Sequence, residues 1–93
     1  MRIQGKISQV LPLQQGVSNH GVEWRKQTIV VVEADPSIAF PNEVALDLFN
    51  DRIPVTQLTV GQLVDVHFGI RTREYNDRFY NEINVVRFTV LNN

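Results

Sequence analysis

Apolar and polar residues change places at every second position along most of this chain, and that habit excludes most folds. From Val64 to Arg71 the order is Val-Asp-Val-His-Phe-Gly-Ile-Arg, and from Glu43 to Phe49 it is Glu-Val-Ala-Leu-Asp-Leu-Phe. A period of two sends successive side chains to opposite faces of an extended strand, so one face can be buried while the other stays wet. No long segment carries the 3.6-residue period of a helix. The chain is expected to be all-β.

Five strands can be laid out. The first runs from about Arg2 to Leu13, with Ile3, Ile7, Leu11 and Leu13 on one face and Gly5 marking a sharp bend in it. Gln14 to Gly21 reads as a polar, glycine-bracketed loop. The second strand follows from Val22 to Glu33 and is rich in β-branched residues. Asp35, Pro36, Pro41 and Asn42 mark a connection that should carry Ile38 and Phe40 back onto the core. In the third strand, Glu43 to Phe49, Val44, Leu46 and Leu48 point one way and Ala45, Asp47 and Phe49 the other. Asn50 to Leu58 is the one place for a helix, and Pro54 limits it to about a turn. Thr59 to Gln62 turns the chain into the fourth strand, Val64 to Thr72, with Val64, Val66, Phe68 and Ile70 inward. Asn76-Asp77 signals a hairpin. The fifth strand, Phe79 to Val90, places Phe79, Ile83 and Val85 inward and changes phase at Val85-Val86, as a bulge would, so that Phe88 and Val90 continue the core.

Strands of this number, with a glycine kink in the first and one helical turn between the third and fourth, match a five-stranded Greek-key barrel of the OB-fold type. The length of the strands favours that barrel over an SH3-like one. At 93 residues there is room for one domain, spanning 1–93. No cysteine is present, which removes disulfides and thiolate metal sites and makes a reducing cytoplasm the expected setting. Met1 to Val10 has no apolar signal-peptide core, and no run approaches the length of a membrane span. The net charge of −1 argues against duplex binding driven by charge on the whole molecule. The charge is nonetheless segregated, with acids at Glu33, Asp35, Glu43, Asp47 and Asp51 and bases at Arg25-Lys26, Arg71, Arg73, Arg78 and Arg87.

Ile70 to Val86, IRTREYNDRFYNEINVV, resembles the fourth strand, loop and fifth strand of bacterial single-stranded DNA-binding proteins, and Leu46 to Asp51, LDLFND, resembles their third strand. Gly5 to Leu13 (GKISQVLPL), Gly21 to Gln27 (GVEWRKQ) and Val60 to Phe68 (VGQLVDVHF) resemble, across nearly the whole chain, a family of small single-OB-domain proteins of unknown function. In plan the chain is also similar to primosomal replication protein B. The resemblance implies stacking aromatics at Phe49 and Tyr75 and groove arginines at Arg71 and Arg73. Trp24-Arg25-Lys26 resembles a further string of the DNA-binding proteins but lies one strand earlier than theirs. The long glycine-rich acidic tail of those proteins is absent, so recruitment of partners through one is not expected.

The residues support binding independently of that likeness. Single-strand binders need aromatic faces for bases and cations along a backbone track. Trp24, Lys26, Thr28 and Val30 share one face of the second strand if Ile29 and Val31 fill the core, and Phe49 points away from the core of the third. The nucleic-acid-binding candidates are therefore Trp24, Arg25, Lys26, Phe49, Arg71, Arg73, Tyr75 and Arg78, and the expected ligand is single-stranded DNA, or alternatively RNA. Ordinary roles stand beside each: Trp24 as a barrel cap or dimer contact, Phe49 turned inward, Arg71 and Arg73 as solvated edge charges paired with Glu82 or Glu74. Tyr80, Glu82 and Asn84 read as surface or interface. His20 and His67 have no metal-ligand spacing and the glycines form no phosphate loop, so neither an enzyme nor a cofactor is expected. A protein-interaction or assembly module on the same barrel is the alternative. A barrel this small leaves edge segments, so a homodimer or higher homo-oligomer is expected.

Overall fold

The most β-branched stretch of the chain, Thr28 to Val32, lies at the centre of the structure, a computed structural model that describes residues 1–35, 37–54 and 57–91. It belongs to β3 (Glu23–Glu33), whose two edges organise the other strands. Along one edge runs β4 (Glu43–Phe49), paired from Lys26↔Phe49 to Val32↔Glu43. The other edge takes β1 (Arg2–Val10) beside its second half, from Gly5↔Glu33 to Val10↔Ile29, and β2 (Gln14–Val17) beside its first half, from Gln14↔Lys26 to Val17↔Glu23. β1 continues the sheet to β5 (Leu63–Tyr75), which forms a long hairpin with β6 (Arg78–Val90). All pairings are antiparallel.

Six strands thus replace the five expected. The run read as one strand to Leu13 breaks at 11–13, where Pro12 has no N–H to give a ladder, and Leu11 and Leu13 are exposed. The polar segment read as a loop from Gln14 to Gly21 instead supplies β2 and a turn. In that turn Ser18 Oγ accepts the amides of His20 and Val22, and Gly21 takes φ +78°.

One face of the sheet is sealed. Ile3, Ile7, Ile29, Val31, Leu46, Leu48, Val64, Val66 and Phe68 are buried together with Leu58, and Val10, Val44, Ile53, Ile83, Val85, Phe88 and Val90 pack around them. Gly5 sits among them because β1 passes so close to β3 that a Cβ there would lie 2.2 Å from the Val32 carbonyl oxygen. The glycine expected at a bend is therefore demanded by close approach.

The sheet is open, which corrects the closed barrel read from the sequence. β4 and β6 approach within 8 Å between Cα atoms, yet among the described residues no ladder joins them. β6 bulges there, as the phase change predicted: His67 pairs Arg87 while Phe68 pairs Val85, leaving Val86 unpaired. A bulged edge cannot present a regular row of amides, and the Arg52 guanidinium takes the Val86 carbonyl at 2.8 Å. Arg52 ends a short 3-10 turn, Asn50–Arg52, which is the only helix among the described residues. The expected helical turn is thus there but shorter than Asn50 to Leu58; Val55 and Thr56 lie outside the described residues.

Other apolar residues assigned to the core are not in it. Phe40 is 91% exposed, and Ile38 is half-buried; Pro36 lies outside the described residues. Ile70 and Phe79 are 51% and 70% exposed because β1 pairing ends at Arg2↔His67, so beyond Phe68 the β5–β6 hairpin has no third strand among the described residues. It stands out as a two-stranded arm, and the radius of gyration, 14.6 Å, exceeds the roughly 12 Å of a compact chain this long. At its tip Asn76 and Asp77 both take left-handed φ values, +51° and +63°, the pattern of a type I′ turn.

Candidate functional site

Counting parity through the ladders assigns each candidate to a face. Lys26 lies opposite Phe49, Thr28 opposite Asp47 and Val32 opposite both Glu43 and Lys6; Lys6 lies opposite Leu63. Since Ile29, Val31, Leu46, Leu48, Val64 and Val66 fill the core, Trp24, Lys26, Phe49, Arg71, Arg73 and Tyr75 all belong to the outer face. Arg78, paired with Tyr75, joins them. Arg25 does not. By parity it falls on the other side of β3 from Trp24 and Lys26, beyond the end of the core, although Arg25 and Trp24 both line the hollow between the β2–β3 hairpin and Asn50.

The outer face carries two clusters. In the first, the Trp24 indole lies over Gly16, its cross-strand neighbour, where a Cβ would meet the ring at 2.8 Å. Trp24 keeps 36% of its surface exposed, and Phe49, across from Lys26, keeps 51%. Phe49 therefore points outward, not beneath the helical turn. Its position is fixed by Asn50, which turns the chain with φ +48° and accepts the Arg25 amide on its Oδ1 at 2.9 Å. The acids of β4 close the face on one side, with Asp47 accepting a hydrogen bond from the Thr28 hydroxyl.

In the second cluster the arm presents Arg71, Arg73, Tyr75 and Arg78 on one side, with Tyr80 and Glu82 between them: Arg71 pairs Glu82, and Arg73 pairs Tyr80. All are exposed. Arg73 Nε donates diagonally to Glu82 Oε2 at 2.7 Å, so one of the three arginines is already engaged. Toward the root of the arm the same face carries Arg87 and His67, then Asp65, gripped by Arg2 through two bonds of 2.8 and 3.0 Å. The Arg2 hydrogen bond holds the Asp65 carboxyl below the usual carboxylate range against the opposing effect of desolvation. Asp35 is likewise lowered, by the Ser37 hydroxyl and amide.

The clusters are not adjacent. The arm leaves from the Arg2 end of β1, and the β2–β3 hairpin follows from its Val10 end. They bracket one sheet face from opposite ends. Beside Phe49 the open seam forms a cleft of about 830 Å³, bounded by Arg52, Pro54 and Leu58 and by Val86 to Val90. A smaller hollow beside Trp24 shares Asn50 and Asp51 with it.

Tyr80, Arg52 and Arg87 adjoin the two clusters although the sequence did not nominate them. Tyr80 was legible, being in phase with Glu82 and Asn84 on the outer side of its strand. Arg52 was not, because its place depends on the Val86 bulge meeting the turn after β4.

Together these features define a small open antiparallel β-protein with an exposed face of aromatics and arginines. The chain matches the family described as Domain of unknown function (DUF3127) over residues 2–89 and belongs to it. Neither the curated proteins nor the solved structures give a match.

Proposed function

We propose that this protein is an OB-type module that binds single-stranded nucleic acid, DNA in the first instance, acting in the cytoplasm by binding and not by catalysis. The observation that carries the reading is the shared outer face. Parity through four ladders gives Trp24, Lys26 and Phe49 one end of it and Arg71, Arg73, Tyr75 and Arg78 the other. Bases need exposed rings to stack on, and phosphates need cations nearby. Both are present here, and among the described residues no buried charge opposes them.

The topology supports the OB assignment if β1 and β2 are taken as one kinked strand, since both pair with the same edge of β3. The six segments then reduce to five paths in a partly open barrel, a form that OB domains use for oligonucleotides through the outer face of the second and third strands and two flanking loops. Those elements correspond to β3, β4, the β2–β3 turn and the arm. In this reading Arg71, Arg73 and Tyr75 take the groove and stacking roles that the sequence resemblance implies for them.

The test is a titration of Trp24 fluorescence with an oligothymidine at low salt, repeated with Arg71→Ala/Arg73→Ala. Quenching in the native chain and weaker binding in the double variant are expected. No quenching at tens of micromolar protein, where even non-specific binding registers, would turn the reading to protein assembly. Exposed Ile70 and Phe79 favour an assembly role too, but on the opposite face of the arm.

A further inference from the structure

An isolated two-stranded hairpin is marginally stable in water, and a third strand is the usual remedy. The arm beyond Phe68 has none among the described residues. Both its edges are open, but they differ in charge. Along β5 the sequence Gly69 to Tyr75 places Arg71 and Arg73 two residues apart. Antiparallel self-pairing about Thr72 would set Arg71 against Arg73 of the second copy, and pairing about Arg71 or Arg73 would set an arginine against itself. Like charges directly opposed are destabilising. The β5 edge rejects its own copy.

The β6 edge does not. With Tyr75↔Arg78 closing a turn of two residues, that pair is hydrogen-bonded across the hairpin, so the amides and carbonyls of Phe79, Asn81 and Ile83 point away from β5. No hydrogen bond from another element reaches them among the described residues. A two-fold axis through Asn81 would pair Asn81 with itself, Phe79 with Ile83, Tyr80 with Glu82 and Arg78 with Asn84. No like charges meet, and the outward-pointing amides pair only with one another. On the inner face Ile70, Ile83 and Phe79 of the second copy form one continuous apolar row. That row covers the side chains this chain leaves bare: Ile70, 51% exposed, and Phe79, 70% exposed.

We propose that the outer edge of β6, from Arg78 to Asn84, pairs antiparallel with the same edge of a second copy of this chain about a two-fold axis at Asn81, joining two arms into a four-stranded sheet. The proposal rests on the arm and not on the proposed ligand. If both hold, the outer faces of two arms lie side by side and double the cationic track.

The chain has no cysteine, so a single introduced thiol reports the register. Opposed Cα atoms of a hydrogen-bonded pair are about 5.5 Å apart, within disulfide range. Under mild oxidation without nucleic acid, Asn81→Cys should give an interchain disulfide. Thr72→Cys, one strand further in and about 14 Å from its mate, should not. Light scattering should give twice the 10.7 kDa of one chain for the native protein. Asn81→Lys, which sets two ammonium groups against each other, should give the single mass with an unchanged far-ultraviolet spectrum. A native chain that stays monomeric at several hundred micromolar would overturn the proposal. So would a dimer indifferent to Asn81→Lys, or cross-linking equally fast at both positions. Oligothymidine binding measured on the same samples stands or falls separately.

Discussion

The indole of Trp24 rests on Gly16 directly across the β2–β3 ladder, so close that a Cβ on the glycine would fall 2.8 Å from the ring. Glycine within a strand is costly in backbone entropy, and an aromatic laid over it recovers part of that loss. Gly16→Val should therefore push the ring off its seat. Because the obstacle is a mobile side chain, the stability loss should stay near ~1 kcal/mol, of the order of one cross-strand pair. Trp24 emission should shift to longer wavelength as the ring is hydrated. An unshifted spectrum would mean that the ring has another resting place.

Gly5 faces a harder obstacle. Its Cβ would meet the Val32 carbonyl oxygen at 2.2 Å, and backbone cannot swing aside as an indole can. Gly5→Ala should cost about 3 kcal/mol, the upper range for overpacking a core, and lower the melting temperature by more than ~10 °C. A calorimetric melt of the two chains is enough to decide it.

At the seam between β4 and β6, the Arg52 guanidinium holds the carbonyl of the bulged Val86 at 2.8 Å. Arg52→Ala leaves that carbonyl to water and removes a link between the two edges of the open sheet. Since the bond is exposed, its loss should cost about 1 kcal/mol, or ~4–8 °C in melting temperature. Arg52→Lys should recover only part of this, because a lysine lacks the fork that reaches across the gap. Full recovery by lysine would show that charge alone matters there.

Where side chains alternate strictly, the fold was legible: β4, the core of β5 and the bulge at Val85-Val86 all follow from period two. β2 was not, because Gln14, Gln15 and Gly16 carry no apolar phase and are held only by the ladder to Glu23 to Lys26. The arm misled in the opposite sense. Ile70 and Phe79 keep the inward phase of β5 and β6, and alternation cannot tell that β1 has stopped at Arg2. Burial depends on what lies across the sheet, which periodicity does not encode. Arg25 is a different case: alternation by itself sets it on the opposite face of β3 from Trp24 and Lys26.

The grip of Arg2 on Asp65 makes part of the stability sensitive to acid. The folded carboxyl ionises below its unfolded value, mainly through the Arg2 hydrogen bond. A depressed carboxylate contributes stability that is complete above the unfolded pKa, about 3.9, and is lost as pH falls through the folded value. Native melting temperatures should thus decline below about pH 4, and Asp65→Asn should flatten part of that decline while lowering stability at neutral pH. Asp35, lowered by Ser37, titrates in the same sense, so the flattening should be partial. Melts from neutral to acid pH on both chains separate the contributions.

Glu82 offers the sharpest reading of the arm. Its carboxylate holds Arg73 Nε at 2.7 Å and stands beside Arg71 in the ladder, so it competes with any phosphate for both guanidinium groups. The pair is exposed, at 65% and 46% of the two side chains, and such pairs contribute little to folding, on the order of ~0–1 kcal/mol. Glu82→Gln should leave the melting temperature nearly unchanged and tighten oligothymidine binding. The gain should be greatest at low salt, because the variant frees a cation and removes a like charge from the path of the strand. On a log–log plot of affinity against salt the slope should steepen by about 0.7 for each additional phosphate of a single strand that the variant neutralises. Arg71→Ala should flatten it by the same amount. If Glu82→Gln binds no better than the native chain at low salt while Trp24 still quenches, the polynucleotide lies on the Trp24–Phe49 end of the face and does not reach the arm.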